Sequence, residues 1–547
     1  MTTADNPGGQ LPEKSTLRPS PTASEGPGEC KCAGPPLTSS PQTMARFRTF
    51  WRLHYADVLL LTLVAALAAI IYAPLWHLGF WGDDWFLWGQ GSRRCLLSLG
   101  LGPGARNLSQ FTYVPLLGPS YRVDWLLFGD RFWLYNGGNF AWFLLVSCLA
   151  FLLLRILGHH RFWAAIAAVL VLCNPATVTV SGVCMTRHYL IGLAFALTSC
   201  CLLARWRRGG PNRWLFWAVL AYFLAILGKE VFAPLVVLVP FILAKEQRAL
   251  AGRGFGLALA GYLILRRIFL GGFMGGYDTS YDPLVQLRTL TECFPRMAET
   301  LVYGGHVPGQ VNLWAASIGA GVFLGCLLLP ALAWRRPRAS ILVAVLLLVE
   351  LATVLPTMAA PIIAYANDPL QCHGDRLVLP LTVTAWLLIA ISLGTLEQRG
   401  GRVSGLCWRG LAVAMCAALF FLGARTKTTG WANEKPTWNQ ISFIWERLEA
   451  PNCFICPADW CASQIPELRQ QQGGRVRAMV ISPEQRPVWN TYACVYRLGK
   501  HGTIEATTDS AQAESWLDSY QAEFRRVLPY QWDMLHAQTP GKPQPAR

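Results

Sequence analysis

The chain alternates long apolar runs with short polar interruptions. Runs such as Asp57–Leu78 and Ile341–Ala360 reach the length needed to cross a bilayer as helices. The pattern predicts eleven transmembrane helices, at residues 58–79, 138–154, 162–180, 188–204, 214–228, 231–244, 254–270, 314–334, 339–360, 378–396 and 407–423. The fifth and sixth are short and nearly continuous. Asn174-Pro175 is expected to kink or end the third, because proline lacks the amide that a helix interior needs. Residues 1–43 are rich in Pro, Gly, Ser and Thr, have no apolar period, and read as a disordered cytoplasmic tail. A basic-then-apolar leader with a small-residue cleavage site is not evident, so the first helix reads as an uncleaved anchor. Residues 424–547 return to an ordinary soluble pattern. Strands are expected at Arg477–Ile481 and Val488–Tyr496 and a helix at Ser510–Arg526, which makes a small α+β domain.

Composition agrees. Hydrophobic residues make up 53% of the 547 and charged residues 14%, where soluble domains carry about 25% charged. These values exclude a soluble globular enzyme, a coiled coil and a disordered chain. The net charge of +16 reports topology instead of a nucleic-acid partner. Alternate loops (155–161, 205–213, 245–253, 335–338 and 397–409) hold 15 Lys and Arg against 2 acids, while the intervening set is balanced. Short basic loops face the cytoplasm. The N-terminus, Met1, is therefore expected inside, and the first long loop (80–137) and the C-terminal domain outside. Cys453, Cys456, Cys461 and Cys494 in that domain suit disulfides on an outer face, with a zinc site as the alternative. Cys30 and Cys32 in the tail are a weak metal signal.

Ionisable residues at the outer ends of apolar helices are expensive and need a partner, a cavity or a task. Asp83 and Asp84 lie inside Phe80-Trp81-Gly82-Asp83-Asp84-Trp85-Phe86, where unequal surroundings can tune one acid as a base. Arg187, in Thr186-Arg187-His188-Tyr189, is a permanent cation able to grip a phosphate. Lys229 and Glu230 interrupt one apolar stretch. Asp375 and Arg376 precede the tenth helix, and Tyr121-Arg122 lies in the first loop. Glu350, inside the ninth helix, is expected to hydrogen-bond another helix. The topology puts the four outer clusters on one side. A base, several cations and an adjacent bilayer point to an anionic, lipid-linked substrate.

Over about residues 55–400 the ordered set resembles the GT-C superfamily of integral-membrane glycosyltransferases, in particular the O-mannosyltransferase-like proteins and their bacterial relatives. Asp83-Asp84 matches the acidic pair of the first outer loop, and Tyr121-Arg122 a Tyr-Arg-Pro-like step with Val123 in place of Pro. Tyr135 to Asn139 matches a Tyr-x-x-x-Asn step. Arg187 to Leu190 matches a Gly-Arg-x-x-Leu step with Thr186 in place of Gly. Lys229-Glu230 matches a Lys-Glu step, and Arg376 to Pro380 an Arg-Tyr-x-Tyr-x-Pro-like step without the tyrosines. Phe143 stands where relatives often carry His, and tetratricopeptide repeats are not seen after the spans.

The resemblance implies an all-α GT-C-like membrane domain and transfer of a sugar from a polyprenyl-phosphate donor to an acceptor hydroxyl on a glycan, lipid or protein, with inversion. Asp83 or Asp84 would be the base, the first acid being usual. Arg122, Arg187, Lys229 and Arg376 would hold the lipid phosphate and sugar, with Glu230 and Asp375 holding the cations. A divalent metal (Mg or Mn) is possible, although many relatives need none. A bacterial inner membrane fits the expected topology. Two other classes stay open: a transporter or flippase for a lipid-linked or anionic solute, which would show probe access from both sides, and an inactive scaffold, which would bind a partner through residues 424–547.

Overall fold

A computed structural model describes residues 41–547 except 77, 79, 81–83, 94, 97, 99–112, 130, 132–133, 238–242, 244, 272–281, 306–310, 336, 359–375, 401, 457–464, 472–474, 483–484, 499–502 and 528–547. Asp83, Asp375, Cys461, Cys30, Cys32 and the tail as far as residue 40 lie outside the described residues. The chain forms two compact units, 1–55 and 56–547. The first is described only from Pro41, as helix. All contacts below belong to the second.

In chain order the helices are α1 (Pro41–Tyr72), α2 (Asp84–Arg93), α3 (Leu117–Phe128), α4 (Tyr135–Leu157), α5 (Arg161–Cys173), α6 (Pro175–Gly182), α7 (Arg187–Arg207) and α8 (Arg213–Gly228). They continue with α9 (Lys245–Leu270), α10 (Pro283–Val302), α11 (Leu313–Trp334), α12 (Pro337–Met358), α13 (Leu379–Arg399), α14 (Arg402–Ala418) and α15 (Thr426–Glu446). Among the described residues seven segments are long and apolar enough to cross a membrane: Tyr55–Leu75, Tyr135–Leu157, Cys184–Arg207, Glu246–Leu270, Leu313–Trp334, Leu379–Arg399 and Val403–Trp431. This is a helical, multi-pass membrane architecture, but with seven such helices in place of the expected eleven.

Two of the four shortfalls have a physical reason. α5 and α6 bend by 56° at Asn174, so the third expected span is a broken pair. Pro175 sits at the first position of α6, where its missing amide does no harm. The Asn174 side chain caps α6 at the Ala176 amide (3.2 Å) and donates to Thr382 (2.8 Å). Arg213–Gly228, at 16 residues and about 1.5 Å per residue, falls short of the ~30 Å hydrocarbon layer, whereas α12 has 22 residues and its apolar part is described over Ser340–Val354. The sixth expected span begins as a 3₁₀ turn, Glu230–Phe232. α8 and α9 nevertheless run parallel, since Gly254 meets Val219, Gly261 meets Phe223, and Tyr222 stacks on Phe255. Residues 238–242 and 244 of that expected span lie outside the described residues.

The last span does not stop at 423. α14 passes through a π-helical stretch, Leu419–Arg425, into α15, so the soluble part begins some twenty-five residues later than the sequence pattern indicates. Arg425 and Lys427 lie within this continuous helix; Lys427 is buried and sits 5.9 Å from the Trp431 ring. Glu350 accepts from Thr384 of α13 at 2.8 Å, as expected of an acid inside a helix.

Beyond α15 lies a four-stranded sheet of order β2-β1-β3-β4, built from β1 (Asn452–Ile455), β2 (Met479–Ile481), β3 (Cys494–Leu498) and β4 (Ile504–Thr507). β1 is parallel to both neighbours and β3–β4 is antiparallel. Residues 488–491, expected to be strand, are largely a 3₁₀ turn. Side chains alternate across a strand. Cys453, Ile455, Ile481 and Val495 pack under α17 (Ser510–Val527, following the short α16, Ile465–Gln471). Phe454, Cys456, Val480 and Leu498 pack on the other side, against Leu87, Trp88 and Leu117 of the first loop. Cys453 and Cys456 thus face opposite sides of the sheet, which removes the zinc alternative for that pair. Cys453 and Cys494 carry free thiols, so the expected disulfides are absent there. Trp445 of α15 meets Trp88 of α2 edge-on, with ring centroids 5.4 Å apart. The first loop and the C-terminal domain share one core at one end of the bundle.

Close helix contacts rest on particular glycines. A methyl on Gly319 of α11 would fall on the carbonyl oxygen of Ala298 in α10, whereas one on Gly321 would meet open space. Gly319→Ala is predicted to destabilise the detergent-solubilised protein by about 1–3 kcal/mol and Gly321→Ala to leave it unchanged, measured as paired thermal melts.

Candidate functional site

Arg187 opens α7 directly after a 3₁₀ turn, Cys184–Thr186. That turn is closed by the Thr186 hydroxyl, which donates to the carbonyls of Val180 (2.9 Å) and Val183 (2.8 Å). The Arg187 guanidinium is 1% exposed. Its Nε donates to Asn139 Oδ1 (2.5 Å), Nη1 to Asp124 Oδ2, and Nη2 to the Tyr135 carbonyl (2.7 Å). Its carbon lies 5.4 Å from the Tyr121 ring centroid. A buried guanidinium is tolerated only with such full pairing. Burial pushes the Asp124 carboxyl up and the Arg187 charge pulls it back, the net shift being upward.

Tyr121 joins this cation to the acid of α2. Its hydroxyl donates to Asp84 Oδ1 at 2.6 Å, and Asp84 is 1% exposed. Burial, then the Asp84 charge, hold the Tyr121 phenol well above its ordinary value. The approach of α2 to α3 needs Gly91, where a Cβ would lie 3.1 Å from the Tyr121 backbone. Asn136 fixes the floor: its Nδ2 donates to the Leu78 carbonyl (2.6 Å) and its Oδ1 accepts from the Cys184 thiol (3.4 Å).

The second group sits on the far side of the α7 N-terminus. Gly228 and Gly192 allow α8 onto α7: a Cβ on Gly228 would lie 2.8 Å from the Gly192 Cα and 3.1 Å from the His188 carbonyl oxygen. This sets Lys229 beside Tyr189, 5.7 Å from the ring centroid, and in an ion pair with Glu230 at 3.1 Å. Burial raises the Glu230 carboxyl, but Lys229 and then Arg266 outweigh it, and the net value lies below the ordinary range. Arg266 donates to Tyr262 (3.2 Å). His188 is within electrostatic reach of both Lys229 and Arg376. Asp84, Tyr121 and Arg187 are in direct contact, and Lys229 lies beside Tyr189, on the same turn of α7 as Arg187, at the end of the bundle that carries the first loop.

Not every expected residue joins it. Arg122 points away and donates to the carbonyls of Gly91 (3.2 Å) and Ser92 (3.0 Å), closing the C-terminal end of α2. Phe143 is core, 6.0 Å from Tyr72 ring to ring. Asp83 and Asp375 lie outside the described residues. The sequence reading missed Asp124, whose signal is its place three residues after Tyr121 on the same helical face. It also missed Arg266. Among the described residues no group of three or more His, Cys, Asp and Glu could hold a metal ion.

Removing one partner of a buried pair leaves the other charged and unsatisfied. Asp124→Asn is therefore predicted to cost about 3–5 kcal/mol, read by chemical unfolding in mild detergent, and Arg187→Lys to fail similarly because an ammonium cannot span the same three acceptors. A carboxyl held below its unfolded value stabilises fully above about pH 4.3 and loses that contribution as pH falls through its lower folded value. The gap in Tm between wild type and Glu230→Gln should accordingly be widest above pH 5 and narrow below about pH 4; a gap that grows on acidification contradicts the pairing. No protein-family model matches the chain, and no curated protein matches it.

Proposed function

We propose that the protein is a GT-C-type membrane glycosyltransferase that moves a sugar from a polyprenyl-phosphate donor to an acceptor hydroxyl. The observation that carries the reading is the contact of Asp84, Tyr121 and Arg187, with Lys229 close by at Tyr189 of α7, drawn from separate segments to one end of an apolar bundle. An acid, cations and an adjoining bilayer suit a substrate that is anionic at its head and apolar in its tail. In this reading the site end faces away from the cytoplasm, the N-terminus is cytoplasmic, and the membrane is a bacterial inner membrane.

Asp83 removes the proton from the acceptor hydroxyl, and the oxygen attacks the anomeric carbon. The bond from that carbon to the phosphate oxygen breaks, and polyprenyl phosphate leaves with the electron pair. One displacement inverts the anomeric centre. Lys229 and Arg376 stabilise the leaving phosphate, with Glu230 orienting Lys229. Arg187 holds Asn139, Asp124 and Tyr135 through all three of its nitrogens, so it fixes geometry and adds positive potential. Asp84 is already bonded to Tyr121, which suits it to orient its neighbour.

A general base contributes typically 10²–10⁴-fold. Asp83→Asn in nanodiscs, given a panel of polyprenyl-phosphate sugars, is predicted to slow release of free polyprenyl phosphate by at least ~100-fold. Donor KM should change little and elution should match wild type. Turnover surviving in the Asp83→Asn, Asp84→Asn double variant would sink the proposal.

A further inference from the structure

At the end of α7 opposite Arg187, two turns gather six arginines: Arg155 and Arg161 beside the α4–α5 turn, and Arg205, Arg207, Arg208 and Arg213 around the α7–α8 turn. Residues 131–229 contain neither Asp nor Glu. Arg155 is neutralised by Asp57 at 3.2 Å. Arg205, Arg207, Arg208 and Arg213 are exposed, and none pairs with a carboxylate among the described residues.

The α7–α8 turn is built, not loose. Trp206 Nε1 donates to Asn212 Oδ1 at 3.1 Å, and the Gly209 amide donates to the Trp206 carbonyl at 3.0 Å. Gly209 has a φ of +87°, which a glycine adopts freely. Arg208 Nη2 lies 2.9 Å from where a Cβ on Gly158 would sit, and Gly158 itself has a φ of +90°, so the two turns meet over a position open only to glycine. The Arg205 and Arg213 guanidinium carbons lie 5.4 and 5.8 Å from the Trp214 ring centroid. Stacking on an aromatic fixes the plane of a guanidinium and leaves its in-plane donors for bidentate contact with phosphate. Just beyond, toward the apolar middle of the bundle, Phe216 and Trp217 are 63% and 50% exposed.

We propose that Arg205, Arg208 and Arg213, arranged around Trp214, bind the phosphate headgroup of an anionic phospholipid whose acyl chains lie along Phe216 and Trp217. Unpaired cations over exposed aromatics complement that one molecule at both of its ends. The proposal is independent of the glycosyltransferase reading.

The test is lipid retention by the full-length protein in nanodiscs of equal phosphatidylglycerol and phosphatidylcholine, extracted into mild detergent and weighed by native mass spectrometry. Wild type should retain phosphatidylglycerol in preference. Arg205→Gln, Arg208→Gln, Arg213→Gln together should lower that retention roughly 100-fold, about a factor of five for each arginine. Arg248→Gln, Arg253→Gln, Arg399→Gln removes the same charge elsewhere at this end and should retain it. Trp214→Leu, which changes no charge, should lower it severalfold. Equal loss in both triple variants, no effect of Trp214→Leu, no preference in wild type, or displacement by millimolar inorganic phosphate would each overturn the proposal.

Discussion

A single buried guanidinium organises one end of this protein. Arg187 stands at the mouth of an apolar helix, where a lone charge is not tolerated. Its demands are met from three places: Asp124 on α3, Asn139 and the Tyr135 carbonyl on α4, and the Tyr121 face. Satisfying Arg187 therefore docks the first loop onto the helix bundle. Tyr121, held over the guanidinium, then positions Asp84 through its hydroxyl.

The C-terminal domain supports the same arrangement from outside. Its sheet closes over α2 and α3, with Phe454, Val480 and Leu498 sharing a core with Leu87, Trp88 and Leu117. α2 is thus wedged between the arginine network and the C-terminal domain. On the other flank, Gly192 and Gly228 let α8 close on α7, and Lys229 with Glu230 arrives beside His188 because no side chain intervenes. The acid and the cations are held together by packing, at positions far apart in sequence.

Much of this was legible in the chain. Apolar runs marked the long helices, Asn174-Pro175 marked the break between α5 and α6, and Glu350 was expected to seek a partner and finds Thr384. Lys229 and Glu230 were correctly read as a pair. The failures share a cause: hydropathy counts apolar residues but not where the backbone turns. It ended the last helix at 423 although Thr426–Glu446 continues it. In the site, Arg122 seemed a natural anion ligand, yet its reach is taken by carbonyls of α2. Asp124 went unnoticed because its partner lies 63 residues away. Cys-x-x-Cys suggested a shared ligand, but strand alternation sends Cys453 and Cys456 to opposite faces.

The most direct single measurement is a cryo-electron-microscopy map of the full-length protein in nanodiscs saturated with a non-hydrolysable polyprenyl-phosphate sugar. The proposed chemistry requires phosphate density against Lys229 and Arg376, with the sugar turned toward Asp83 and Asp84 and the prenyl chain leaving into the bilayer. Donor density elsewhere, such as over the opposite arginine-rich end, or a site end unchanged at saturation, would contradict it.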